Sequence, residues 1–195
     1  MLKYLFIPAI ICMLFACNQP YVNKTLADSL HTTDTSLKTI SAERMIIGGK
    51  SIGAIYIDEN ADSVIAKLGK PVYSDAAMGA SLMTWIAKHG KATYQTTIYT
   101  HKNMGGSDEM INHIKEIKVT SPFFKTADYA GAGSELKDVR KLYKFKVRAL
   151  SGRKKLSLYD DCGAGIGFEV DSTGRCIAVL VHAKGDSTAT HLSMQ

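Results

Sequence analysis

The chain has 195 residues, with 24 lysines and arginines against 18 aspartates and glutamates, and 46% of its residues are hydrophobic. These values are typical of a folded globular protein, and they exclude wholesale disorder, a collagen helix and a long coiled coil. No apolar run in the sequence reaches the roughly 18 residues that a membrane-spanning helix needs. The length allows one domain or two small ones.

The N-terminal residues predict a secretory signal peptide. Lys3 precedes a short apolar run from Leu5 to Ala16, and polar residues follow from Asn18 onward. One cation followed by a short apolar run is the layout of a signal peptide, and the run is too short for a membrane span. We therefore expect residues 1–16 to be removed.

Leu14-Phe15-Ala16-Cys17, at the expected cleavage site, resembles the lipobox of bacterial lipoproteins. The resemblance implies that cleavage falls before Cys17 and that its thiol is acylated, palmitate being among the chains. Three acyl chains give durable anchoring, whereas one chain binds a membrane only marginally. A secreted protein without an anchor is the alternative. Asn18, in place of an aspartate, implies by the same resemblance an outer-membrane lipoprotein that faces the periplasm rather than an inner-membrane one.

The mature chain is expected to be basic and to begin with a tether. Loss of residues 1–16 removes Lys3, so 23 cations face 18 anions and the net charge is +5. Residues 17–44 hold the lipidated cysteine and then many serines, threonines and aspartates. This composition predicts a flexible tether, with a short ordered helix inside it as the alternative.

Residues 45–122 are predicted to form a first repeat, in which a short β-like run at Ile52–Ile57 precedes a helix. Apolar residues recur in the helix at the spacing of one face, and Gly69 ends it. These apolar residues are Ala61, Val64, Ile65 and Leu68. Three β-rich runs follow, at Leu82–Ala87, Ala92–His101 and His113–Thr120, and the loop Lys102–Asn112 joins the last two.

Residues 123–185 repeat this order, and residues 186–195 form a tail. Ser134 is the expected N-cap of a second helix that carries Leu136, Val139 and Tyr143. Asp171–Gly174 forms a tight hairpin between the last two β-like runs. The β-like runs are Val147–Leu150 or Leu156–Asp160, then Gly165–Val170, then Arg175–His182.

We therefore predict an α+β fold, a tandem repeat of a helix plus a three-stranded antiparallel meander. A single unrepeated α+β domain is the alternative. The lipobox, the lead strand, the helix ending Leu68–Pro71 and the meander together resemble the small outer-membrane lipoproteins of the SmpA/OmlA type. That resemblance implies an accessory subunit of the machine that inserts β-barrels. The tandem form is similar to the repeats of the β-lactamase inhibitory protein fold and to many uncharacterised bacterial lipoproteins, and no family's binding residues map onto this chain position by position.

The sequence offers no recognisable catalytic or metal-binding motif, so we predict that the chain is not an enzyme and needs no cofactor. Gly-x-Ser-x-Gly, His-Glu-x-x-His and Cys-x-x-Cys do not occur, and the six histidines form no recognisable ligand pair. The glycine-rich stretch Cys162–Gly167 does not precede a helix, so it is not a dinucleotide fingerprint. Small residues in a strand predict a bulge or close packing instead.

After lipidation of Cys17, two cysteines remain in an oxidising compartment, where a disulfide between Cys162 and Cys176 is an option. If the hairpin pairs Val170 with Arg175, these cysteines lie about 23 Å apart along the strands. A disulfide requires Cα atoms within about 7 Å, so the chain near residues 163–165 would have to fold back.

The same register places Cys162 beside His182, with Asp160 and Asp161 adjacent in sequence. A Cys–His pair is one arrangement that activates a nucleophile. Buried structural thiols are far commoner than catalytic ones, so the structural interpretation is favoured.

A basic stretch precedes the last strands. Between Glu135 and Lys155, nine cations stand against only two anions, Glu135 and Asp138, so the local net charge is +7. The cations are Lys137, Arg140, Lys141, Lys144, Lys146, Arg148, Arg153, Lys154 and Lys155. Such a basic face is able to hold an acidic envelope protein, an anionic lipid headgroup or a polyanionic glycan, and a solvated helix face is the alternative. The expected compartment excludes nucleic acid as a partner.

The sequence thus predicts a lipid-anchored periplasmic binding or scaffold protein of the bacterial cell envelope that is not catalytic. The membrane is the expected partner through the lipid, joined by an envelope protein, an anionic lipid or a glycan. One alternative is an inhibitor of an envelope hydrolase. The other is a thiol-dependent envelope enzyme that uses Cys162 and His182.

Overall fold

The computed structural model describes residues 39–149, 156–188 and 191–193, and all of them belong to the same structural unit. The predicted signal peptide, Cys17 and most of the predicted tether lie outside the described residues, as do Arg153, Lys154 and Lys155. Within the described ranges, no helix is long and apolar enough to cross a membrane.

β-Strands make up most of the regular structure. They are β1 (Ile46–Ile47), β2 (Ser51–Ile52), β3 (Ile55–Tyr56), β4 (Tyr73–Ala77), β5 (Ala80–His89), β6 (Ala92–His101), β7 (His113–Val119), β8 (Lys146–Ala149), β9 (Leu156–Asp161), β10 (Ile166–Asp171) and β11 (Cys176–His182). The helices are α1 (Ala61–Leu68) and α2 (Leu136–Val139), and 3-10 turns cover Ala42–Arg44 and His191–Ser193.

One eight-stranded antiparallel sheet, in the order β4-β5-β6-β7-β11-β10-β9-β8, dominates the fold, and β1, β2 and β3 form a separate small sheet. The predicted α+β tandem repeat of a helix and a three-stranded meander is therefore wrong. The physical reason is the direct pairing of β7 with β11, in which Val119 lies opposite Val179 and Glu116 opposite His182. This pairing removes two exposed strand edges and joins both halves of the chain in one sheet.

The predicted first helix is confirmed as α1. Asn60 caps its start, because its side-chain oxygen accepts a hydrogen bond from the Asp62 backbone N–H at 3.0 Å. Gly69 ends it with a φ of +80°, which a residue with a side chain rarely adopts. The helix buries Ala61 and Val64, and Trp85 Nε1 donates to the Gly69 carbonyl at 2.8 Å.

The predicted second helix is reduced to the four residues of α2. Ser134 as its N-cap is wrong, since Glu135 precedes the helix without a side-chain cap. The Ser134 hydroxyl instead accepts a hydrogen bond from the Gly131 N–H at 3.1 Å and closes the turn before it. The residues that follow α2 form a turn and then irregular chain that leads into β8.

Most predicted strands are confirmed, and both alternatives in the second half, now β8 and β9, form strands. The β-like run at Ile52–Ile57 is a tight β2–β3 hairpin rather than one strand. Sequence analysis missed β4, because Tyr73–Ala77 has no alternation and all five residues are exposed at the sheet edge.

The two faces of the large sheet differ in composition. The core face carries the main hydrophobic core, to which the small sheet, α1 and α2 also contribute. Its fully buried side chains include Ile98, Ile117, Phe168, Val179 and Val181. The opposite face, here called the polar face, carries a small leucine cluster and a row of charged side chains. These residues are Leu82, Leu158, Leu180, Glu116, Lys118, Asp160, Glu169 and His182.

Candidate functional site

The polar face concentrates buried ionisable groups on the central strands. Glu116, Asp160, Glu169 and His182 are each only 1–2% exposed. Burying such groups is costly unless they are paired and hydrogen-bonded. Lys118 Nζ lies 3.2 Å from Glu169 Oε1, so this carboxylate has a cationic partner. The other groups define two clusters, one around Asp160 and one around Glu116.

In the first cluster, Asp160 is hydrogen-bonded to His182. His182 Nε2 lies 2.9 Å from Asp160 Oδ1, and His182 Nδ1 lies 2.9 Å from the Ala183 carbonyl oxygen. Both ring nitrogens therefore face acceptors, which favours the doubly protonated ring. Burial by itself lowers the pKa of His182, but the hydrogen bonds to Asp160 and Ala183 and the charges of Asp160 and Glu116 together outweigh burial and raise that pKa.

Cys162 joins this cluster by donating from Sγ to Asp160 Oδ2 at 3.0 Å. The hydrogen bond to Asp160 raises the pKa of the Cys162 thiol, and burial and the carboxylate charge act in the same direction against Arg148 and Lys146. Asp160 thus lies between the thiol and the imidazole of His182. In a Cys–His nucleophile the imidazole takes the thiol proton directly, and this arrangement gives it no such contact.

The predicted pairing of Val170 with Arg175 is wrong. Val170 lies opposite Cys176, because the register shifts between Glu169 and Val170.

The Cys162 carbonyl oxygen accepts a hydrogen bond from the Gly185 N–H at 2.7 Å. Cys162 and Cys176 are both free in the structure. Burial raises the pKa of the Cys176 thiol to about 11.

The Cys162 thiol is expected to react slowly with iodoacetamide at neutral pH. Its raised pKa keeps the thiolate fraction below that of a free cysteine, so we expect a slower rate of alkylation than a free cysteine shows. Asp160→Asn removes the negative charge and is expected to speed alkylation. The rates are measured by mass spectrometry on chains that carry Cys176→Ser, and the alkylation of Cys162 is followed. A fast reaction of the otherwise unchanged chain would contradict this assignment and favour a thiol enzyme.

In the second cluster, Glu116 holds the 191–193 segment, which is the 3-10 turn His191–Ser193. The Glu116 carboxylate accepts hydrogen bonds from the backbone N–H groups of His191 and Leu192, each at 3.1 Å. It also lies 2.5 Å from His191 Nδ1. The His191 ring stacks on Tyr99 with centroids 4.1 Å apart and planes 9° from parallel. Lys118 Nζ donates to the Leu192 carbonyl oxygen. One buried carboxylate and one lysine therefore satisfy main-chain groups of this segment.

Two of the described cations of the predicted basic face have carboxylate partners. Lys137 lies 2.7 Å from Glu135 and Lys141 lies 2.8 Å from Asp138, so local carboxylates neutralise both. The hydrogen bond to Glu135 also raises the pKa of Lys137.

The remaining cations of this set take different positions. The Arg140 guanidinium lies over the Tyr159 ring, 5.1 Å from its centroid. Arg148 Nη2 donates to the Ser187 carbonyl at 2.6 Å. Lys146 lies on β8 opposite Asp160, and the backbone N–H of Lys144 donates to Asp161 Oδ2 at 2.7 Å.

A surface cavity of about 490 Å³ adjoins the start of α2 and the β10–β11 hairpin. Lys137, Arg140 and Arg175 line it together with Glu135. Sequence analysis missed Arg175, because it lies inside a predicted strand, far from the other cations in sequence. Among the residues that the structure describes, no group of three histidine, cysteine, aspartate or glutamate side chains is placed to hold a metal ion.

Comparisons with protein-family models, with curated proteins and with solved structures found no match. The resemblance to the SmpA/OmlA-type lipoproteins and to the repeats of β-lactamase inhibitory protein therefore stays a prediction. The function has to be argued from the residues and contacts of this chain alone.

Proposed function

We propose that the chain is a lipid-anchored, periplasm-facing binding or scaffold protein of the bacterial outer membrane, and that it is not an enzyme. The observation that carries the proposal is the way in which Glu116 and Lys118 hold a polypeptide segment. They contact the main-chain N–H and C=O groups of His191 and Leu192, which is recognition of a polypeptide rather than chemistry on a substrate. The first cluster supports the same proposal, because Asp160 separates Cys162 from His182.

The anchoring part of the proposal depends on Leu14–Cys17 and on the residue after it. An acylated Cys17 would fix the chain to the membrane, and the composition of residues 17–44 predicts a tether between this anchor and the folded part. Asn18 favours the outer membrane for the reason given above. The described fold then offers its sheet surface to the periplasm.

Cys17→Ser is expected to abolish palmitate labelling and membrane retention, because serine cannot take the place of the thiol acyl acceptor. We expect the membrane-bound fraction to fall at least about tenfold, since the acyl chains supply the membrane affinity. The measurement is metabolic palmitate labelling followed by separation of the inner and outer membranes. Cys162→Ser is the matched control and is expected to keep both the label and the location. Unchanged labelling of Cys17→Ser would contradict lipidation at this residue.

The binding part is tested by cross-linking in intact cells. A tagged, lipidated chain is cross-linked, the outer membrane is purified and the adducts are identified by mass spectrometry. We expect a stoichiometric envelope protein. Recovery in that membrane without a protein adduct would contradict a protein scaffold and favour an anionic lipid or glycan ligand. Recovery in the inner membrane would contradict the sorting argument based on Asn18.

A further inference from the structure

We infer that the polar face is a binding site for a peptide segment of a partner protein in which a ring-bearing residue precedes leucine, and that the 191–193 segment fills this site as an intramolecular competitor. The inference rests on the proposed binding function and names its site, its ligand class and its regulation. Four observations carry it.

The first observation concerns the main chain of the segment. The N–H of Leu192 donates to Glu116 and its C=O accepts from Lys118, so side chains rather than a strand ladder satisfy both groups. The N–H of His191 also donates to Glu116. Every non-proline residue carries the same donor and acceptor, so this part of the site accepts any segment that can adopt the same turn.

The second observation concerns the side chains, which supply specificity. Leu192 is 1% exposed and packs in a cluster with Leu82, Leu158 and Leu180. Tyr99 lies beside this cluster and presents its ring face to His191. A flat platform next to a leucine pocket selects a ring-bearing residue, histidine or an aromatic one, followed by leucine.

The third observation concerns charge. Glu116 is 1% exposed, and its described contacts include two N–H groups and the imidazole of the segment. The Glu116 charge also acts on neighbouring groups, since it contributes to the raised pKa of Tyr99 and of His182. Removal of the segment without replacement would expose part of the leucine cluster to water and take three donors away from Glu116, which is unfavourable. The site therefore favours exchange of one occupant for another over an empty state.

The fourth observation concerns how the segment is attached. His191–Ser193 is a single 3-10 turn outside every described sheet, so its departure breaks no strand pairing. An occupant on the same chain competes at a high effective concentration, which is of order millimolar where the connecting segment is short. A partner peptide therefore gains the site when the segment is weakened or when the partner adds contacts elsewhere on the surface.

The test is fluorescence anisotropy with a labelled synthetic peptide that has the sequence of residues 186–195. The protein is the full chain purified in detergent, either unchanged or carrying Leu192→Glu, which places a charge in the leucine cluster and releases the segment. We expect the Leu192→Glu chain to bind the peptide at least about tenfold more tightly than the unchanged chain, because the intramolecular competitor is removed. The peptide carrying Leu192→Glu is expected not to bind.

Two further chains make the result specific. Leu142→Glu changes an exposed leucine in the same way and is expected to bind the peptide no better than the unchanged chain. Leu192→Glu combined with Glu116→Gln is expected to lose the gain in affinity, because an amide group accepts from the backbone N–H groups with only one of its two heavy atoms. If Leu192→Glu fails to melt cooperatively, His191→Ala, which removes the stacked ring alone, decides the question in its place.

A release variant that melts cooperatively but binds the peptide no better than the unchanged chain overturns this inference. Equal binding of the peptide that carries Leu192→Glu overturns it as well. Both results leave the proposed function standing if the chain is lipidated and cross-links to an envelope protein. Peptide binding by a chain that is neither lipidated nor membrane-bound would overturn the proposed location and keep the peptide site.

Discussion

Gly165→Ala is expected to lower the free energy of unfolding by about 3 kcal/mol or more, the sum of left-handed strain and overpacking. Gly165 has a φ of +69°, and a Cβ atom there would lie 2.6 Å from both Gly49 Cα and the His182 carbonyl oxygen. These neighbours are backbone atoms, which cannot rotate away as a side chain can. The Gly49 N–H also donates to the Gly165 carbonyl at 2.9 Å, so the contact joins the small sheet region to the large sheet.

Gly163→Ala is the matched control, two residues earlier in the same glycine-rich stretch. A Cβ atom at Gly163 would meet only Asp161 Oδ1, at an ordinary contact distance of 3.4 Å. We expect this variant to stay within about 1 kcal/mol of the unchanged chain and Gly165→Ala to melt roughly 10 °C lower. Thermal unfolding followed by circular dichroism measures both. Equal melting temperatures would show that the backbone near Gly49 yields without cost.

The glycine-rich stretch illustrates which features a single sequence can predict. Close packing at Cys162–Gly167 was expected because small residues interrupt a strand, and the contacts of Gly165 confirm it. Helix α1 and the Asp171–Gly174 turn were also predicted, since each is defined by residues within a few positions of one another. Asp171 Oδ1 accepts from the N–H groups of Thr173 and Arg175, which closes the predicted turn.

The sheet order could not be predicted in the same way. Residues 120–175 separate β7 from β11 in the sequence, and nothing in either strand specifies the other as its neighbour. The hairpin register failed for a local reason, because the irregularity after Glu169 moves Val170 opposite Cys176. A bulge of this kind adds one residue to one strand and leaves no clear signal in composition.

The site was hidden for a related reason. Glu116 and Lys118 alternate with Ile117 and Val119, a pattern that predicts two side chains in solvent. The structure buries Glu116 because His191, 75 residues away in sequence, covers it. The charge count for the predicted basic face includes Glu135, but it does not show that this carboxylate lies against Lys137. Pairing of charges depends on the fold, whereas their number does not.

Asp160→Ala is expected to destabilise the chain by about 3–5 kcal/mol at about pH 6, because it removes one partner of a buried charge pair. Asp160 and His182 are 2% and 1% exposed, and the variant leaves the His182 Nε2–H and the Cys162 thiol without their acceptor. Asp75→Ala, at an exposed position on the edge strand β4, is the matched control and is expected to change stability little. Urea unfolding measures both.

The pH dependence of this destabilisation identifies its cause. A histidine whose pKa is raised on folding holds its proton more tightly in the folded state, so it contributes stability fully below its unfolded pKa of about 6.5. That contribution is lost as the pH rises through the folded pKa of His182. We therefore expect the difference between Asp160→Ala and the unchanged chain to shrink from about pH 6 to about pH 9, and His182→Gln to remove most of the pH dependence. His89→Gln, at an exposed position, is expected to preserve the pH dependence. A difference in stability that stays constant over this range would mean that the His182 ring is uncharged in the folded chain and contacts Asp160 through a neutral hydrogen bond.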